Sequence, residues 1–92
     1  MKGILIKENG QTGHIEPKNG TDFTLEELQD AVGGMIDIIR LSQGKIFVIN
    51  DEGKFMFGRN NVATIMAKVD RAIFPDDYIA GDVILCDSEM VK

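Results

Sequence analysis

The sequence predicts an α+β fold: a mostly antiparallel sheet of about five or six short strands with two helices, in the order ββαβββ(α)β. Three observations predict it. Short apolar runs are separated by tight-turn signals at Asn9-Gly10, Ser42-Gln43-Gly44 and Asn50-Asp51-Glu52-Gly53, which join neighbours antiparallel. Two stretches carry apolar residues at helical spacing. The chain has 92 residues, 43% of them apolar, the size of one domain spanning residues 1–92.

Residues 1–8 read as the first strand, with Ile4 and Ile6 on one face, and Asn9-Gly10 turns the chain. Residues 12–16 form a weaker partner, with Ile15 alone to bury. Residues 24–32 read as a helix. Thr24 with Glu27 makes a capping box, Phe23 staples onto Leu28, and Gly33 supplies a left-handed stop. Leu25, Leu28 and Val32 make its apolar stripe, and Gln29 lies on the same stripe.

Residues 35–41 form a strand whose second face carries Asp37 among Met35, Ile39 and Leu41. Lys45–Asn50 is apolar on both faces, the mark of a central strand. Residues 50–53 are read as closing a hairpin, with Gly53 at a positive-φ position, and residues 54–57 as the returning strand. Asn60 or Asn61 caps a second helix carrying Val62, Ile65, Met66, Val69 and Ile73. Residues 78–86 read as the last strand and residues 87–92 as a frayed tail. The helices are expected on one face or end of the sheet.

The net charge is −5, unevenly spread. Residues 1–31 carry three lysines against six acids, and residues 75–92 one lysine against five. Residues 32–74 are mildly basic through Arg40, Lys45, Lys54, Arg59, Lys68 and Arg71. An acidic total disfavours nonspecific nucleic-acid binding, which needs a basic face. The middle segment is either a scatter of solvated side chains or a local site for a small anion. No apolar run reaches the roughly 18–20 residues of a membrane span, and a cytoplasmic protein is expected.

Catalytic residue types are sparse. Cys86 sits in an apolar run and reads as a small buried hydrophobe. His14 lies in the weakest strand. Asp51, Glu52, Asp76, Asp77 and Asp82 lack the alternating oxygen spacing of a calcium loop and read as turn and surface acids. No enzyme, cofactor or metal site is expected. The junction Gly58-Arg59-Asn60-Asn61 has two readings. It is an ordinary helix cap, or it is an anion site in which free N–H groups join the Arg59 fork.

The series LEELQ at 25–29, VGG at 32–34, MIDIIRL at 35–41, NDEGK at 50–54, the Asn60/Asn61 pair and IAGDVIL at 79–85 resembles a small domain of unknown function found in phages and bacteria. That family is recognised by a Leu-Gln pair, a Gly-Gly-aromatic-Ile-Glu strand and an Asn-Glu-Glu-Gly turn. Here Met35 stands for the aromatic, Asp37 and Asp51 for glutamates, and Phe57-Gly58-Arg59 for a Leu-Pro segment. The motif positions carried over are Gln29, Gly33, Gly34, Asp37, Asn50, Glu52, Gly53 and Asn60. The resemblance implies an accessory protein of phages and mobile elements. Such proteins sequester a signalling nucleotide, block a defence protein or mimic DNA.

The leading expectation is a non-catalytic binder of a nucleotide-derived anion, working as a homo-oligomer. Its candidate ligand-binding residues are Arg59, Asn60, Asn61, Asn50, Glu52, Asp37, Gln29 and Arg40. For Gln29, Asp37 and Asn50 a buried hydrogen-bond network is the competing role. The alternative function is an acidic inhibitor of a host defence or DNA-binding protein, with a small hydrolase third.

Overall fold

A computed structural model describes residues 3–91. Met1 and Lys2 of the expected first strand, and Lys92 of the expected tail, lie outside the described residues. The strands are β1 (Gly3–Ile6), β2 (Thr12–Ile15), β3 (Ile36–Arg40), β4 (Lys45–Asn50) and β5 (Val83–Asp87). The helices are α1 (Leu25–Val32), α2 (Gly53–Met56) and α3 (Asn61–Val69). The five strands form an antiparallel sheet in the order β2-β1-β5-β4-β3. Two hairpins, β1–β2 and β3–β4, are thus joined edge to edge by the last strand to leave the helical half of the chain. The α+β class holds, with five strands and three helices in the order ββαββααβ.

Strand alternation splits the core in two. Ile36, Ile38, Ile46, Val48, Ile84 and Cys86 point to one face and pack with Phe23, Leu28 and Val32 of the α1 region. Ile39, Phe47, Ile49, Val83 and Leu85 point to the other, where Ala63 and Ala67 of α3 meet them. The helices therefore lie on both faces of the sheet, correcting the one-sided arrangement. The cause is β4: KIFVIN is apolar on both sides, and each side must be covered.

The α1 punctuation is as the sequence predicts. Thr24 Oγ1 accepts from Glu27 N at 3.2 Å, Glu27 Oε1 accepts from Thr24 N at 3.0 Å, and Gly33 stops the helix at φ 83°. Residues 54–57 do not form a strand. Asn50 Oδ1 accepts from Glu52 N at 2.8 Å and turns the chain straight into α2. Gly53 does not have positive φ. Its role is close approach, since a Cβ there would meet the Ala80 carbonyl oxygen at 2.8 Å. The last strand is shorter than residues 78–86. Ahead of Val83 the chain is not in a strand; it is held by an isolated bridge, Ala80 to Arg59, and by hydrogen bonds of Ile79 and Gly81 to residues 58–64.

The expected frayed tail is tied down through Val91. Ser88–Met90 is a 3₁₀ turn, Met90 is fully buried in the α1-side core, and Phe23 N donates to its carbonyl at 2.8 Å. An apolar side chain that reaches the core explains the order.

One edge of the sheet is guarded. Asp51 N donates to Met35 O and Leu41 N to Lys45 O, so the odd-numbered residues of β3 bond to β4 and the even-numbered ones face outward. The outward Ile38 N–H is taken by the carboxylate of Asp37 at 2.8 Å. The acid that looked misplaced among apolar neighbours thus covers a donor on an open edge.

Candidate functional site

A cleft of about 540 Å³ opens on the α3 side of the sheet. Its floor is Ile39 of β3 and Ile49 of β4, continued by Ala72, Ile73, Ile79 and Ala80. Phe55 of α2 and Phe74 and Tyr78 of the segment after α3 add aromatic rings. Asp37, Asp51, Lys54, Arg71 and Asp77 supply the charges. Phe55 is 89% exposed and Phe74 78%, so the folded chain leaves both rings nearly bare.

Most of these charges are already engaged. Lys54 pairs with Asp77 and lies 4.9 Å from the centre of the Tyr78 ring. The Lys54 ammonium, with Tyr78 N–H donating to the same oxygen, holds the Asp77 carboxyl below its ordinary range. Asp37 is committed to Ile38 N. Asp51 and Arg71 make no side-chain hydrogen bond or ion pair among the described residues.

Arg71 owes its place to the end of α3. Arg71 N donates to Lys68 O at 3.0 Å and Ala72 N to Ala67 O at 2.8 Å, the paired bonds of a Schellman stop. The residue at that position is left-handed, and Arg71 has φ 58° where glycine is usual. An arginine costs about 1–2 kcal/mol of backbone strain there. Beside it, Asp70 accepts from the Ser42 hydroxyl and N–H, which tethers α3 to the β3–β4 turn and holds the Asp70 carboxyl below its ordinary range.

The residues expected at the site fall into three groups. Asn60 is fully buried and spent: it donates to Ile6 O at 3.0 Å and Gly81 O at 2.9 Å and accepts from Ala63 N at 3.0 Å. Asn50 is also buried, donating to Val32 O at 3.1 Å, and Gln29 Nε2 contacts Met35 Sδ at 3.5 Å. Asn50 and Asp37 reach the cleft wall. Arg59, Asn61, Glu52 and Arg40 are exposed and do not line it. Arg59 lies close to one lining residue, its guanidinium 5.8 Å from the Tyr78 ring centre.

At the start of α3, Asn60 is thus the ordinary helix cap and turned into the core, while Arg59 and Asn61 stay exposed beside it. What sequence reasoning missed is the aromatic rim with Arg71. The basic middle segment contained Lys54 and Arg71, and that was the one available signal.

The remaining reactive types lie elsewhere. His14 is exposed on the edge strand β2. Cys86 is buried on the α1 side, and burial, with Asp87 beside it, pushes its thiol up to about 11. Among the described residues no group of three or more His, Cys, Asp or Glu converges to hold a metal ion, and no helix is long and apolar enough to cross a membrane.

No curated protein and no solved structure matches the chain. One family model does, over residues 1–90, and on that match the chain belongs to the family described as a domain of unknown function, DUF3846.

Proposed function

We propose that the protein is a non-catalytic binder that holds a small nucleotide-derived anion in the cleft between α2 and the segment after α3. The observation that carries this reading is the lining itself: an apolar floor, bare aromatic rings and, beside the Lys54–Asp77 pair, the Arg71 guanidinium around one concavity. Rings stack on a base, and a guanidinium or ammonium meets phosphate. In its most specific form the ligand is an immune signalling nucleotide and the protein a phage anti-defence sponge in the host cytoplasm. A homo-oligomer would let a second copy cover the exposed rings.

Calorimetry with cyclic ADP-ribose isomers and cyclic dinucleotides tests it. Micromolar binding of at least one, with the ligand recovered intact after denaturation, is the expected result. Silence across the panel overturns the reading, and recovery of a cleaved product overturns its non-catalytic half.

A second reading, an acidic inhibitor that docks on a protein, is favoured by one observation. Phe55, Phe74 and Val69, the last 80% exposed, offer apolar surface that a protein partner would bury. A salt-sensitive complex with a basic partner, formed with no small molecule bound, would favour it over the first.

A further inference from the structure

We propose that Arg71 is the anion-holding residue of the cleft, and that its ligand also carries a flat, amino-bearing ring, the chemistry of a purine nucleotide. This rests on the reading of the cleft as a small-ligand site. The cleft's charges decide between its possible anion holders. Lys54 is neutralised by Asp77, and Arg59 and Arg40 stand outside the lining. Arg71 alone among the lining cations has no side-chain partner among the described residues, and it occupies a left-handed position that glycine would fill with less strain. Strain retained at a cleft, by a side chain that makes no bond of its own, points to a role that the fold does not supply.

The rest of the lining narrows the ligand. Phe55 and Phe74 both line the cleft and are nearly bare, and aromatic rings so placed suit a flat ring. Asp51 is a second group there without a side-chain partner among the described residues, and a carboxylate only accepts hydrogen bonds. A bare anion such as phosphate would meet it as a like charge. A molecule that brings N–H donors as well as an anion satisfies both groups. Adenine, guanine and cytosine nucleotides do so, uracil nucleotides, without an amino group, do so less well, and the two bare rings favour the larger stacking face of a purine.

The test is calorimetry with adenosine and guanosine monophosphates, the cyclic dinucleotides, uridine monophosphate, guanosine and inorganic phosphate, on the wild type, Arg71→Gly and Phe55→Ala/Phe74→Ala. A purine nucleotide should bind tightest, ahead of the uridine nucleotide, guanosine and phosphate. Arg71→Gly should melt higher than the wild type, because its left-handed backbone is relieved, and yet bind the tightest nucleotide at least about tenfold more weakly. Its affinity for guanosine should not change. The double phenylalanine variant should weaken nucleotide and guanosine alike, by about tenfold or more.

If a nucleotide binds and Arg71→Gly leaves its affinity intact, or if the variant melts lower than the wild type, this assignment falls while the small-ligand reading stands. If uridine monophosphate binds as well as the purines, the amino-ring half falls. If no probe binds, the cleft reading and this assignment fall together.

Discussion

Asn60 spends one amide on three separate segments. Its oxygen caps α3, and its two N–H bonds reach the carbonyls of Ile6 and Gly81, all out of contact with water. Truncation would take a donor from each of two buried carbonyls and remove the cap. Asn60→Ala should therefore cost about 2–4 kcal/mol, read from the midpoint of urea unfolding at constant slope. A loss below about 1 kcal/mol would show that water reaches those carbonyls. The sequence marks Asn60 and Asn50 as polar residues at motif positions, but it does not say which way a side chain points. Both turn inward and serve the fold. The opposite error hid Phe55 and Phe74, because a phenylalanine in a mixed sequence reads by default as core. Arg71 was legible only as a positive charge; its left-handed backbone follows from where α3 stops.

At the scale of elements, α1 separates what packing contributes from what propensity contributes. Leu28 is fully buried against the sheet, whereas Leu25, one turn earlier, is 57% exposed. Leu28→Ala should cost about 2–5 kcal/mol, and Leu25→Ala no more than about 0.5 kcal/mol, in thermal or urea unfolding. Equal losses would mean that Leu25 packs as the buried stripe of the helix does. Elements with strong local punctuation were legible: the capping box and Gly33 bound α1, Asn60 starts α3, and KIFVIN marks β4. Residues 53–56 were not. Alternation over four residues is too short to exclude a helical turn, and the deciding bond, Glu52 N to Asn50 Oδ1, is a side-chain choice. The two-sided burial of β4 already implied cover on both faces, and that implication outranks the tendency of antiparallel sheets to leave one side wet.

For the molecule as a whole, titration sets the limits of stability. The Glu27, Asp70 and Asp77 carboxyls are held below their ordinary values by bonds present only in the folded chain: to Thr24 and Lys18, to Ser42, and to Lys54 and Tyr78 respectively. A depressed carboxylate stabilises the fold above its ordinary pKa, and that contribution is lost as the group protonates. Cys86 has the opposite sign. Its thiol rises from an ordinary 9.0 to about 11, so the contribution is whole below 9 and lost towards 11. The melting temperature should be level near neutrality, fall as pH drops below the ordinary carboxyl values of 4.5 and 3.8, and fall again between about 9 and 11. A Cys86→Ala variant that kept the whole alkaline fall would assign it to other groups. The clip of Asp37 over Ile38 has a consequence of its own for crowded solution. Fibres lengthen by adding strands to both margins of a sheet, and this sheet has one margin obstructed by its own acid. A strand arriving at β3 would find the Ile38 donor already taken, with Ile36 and Arg40 still facing outward, so lateral growth meets more resistance there than at β2.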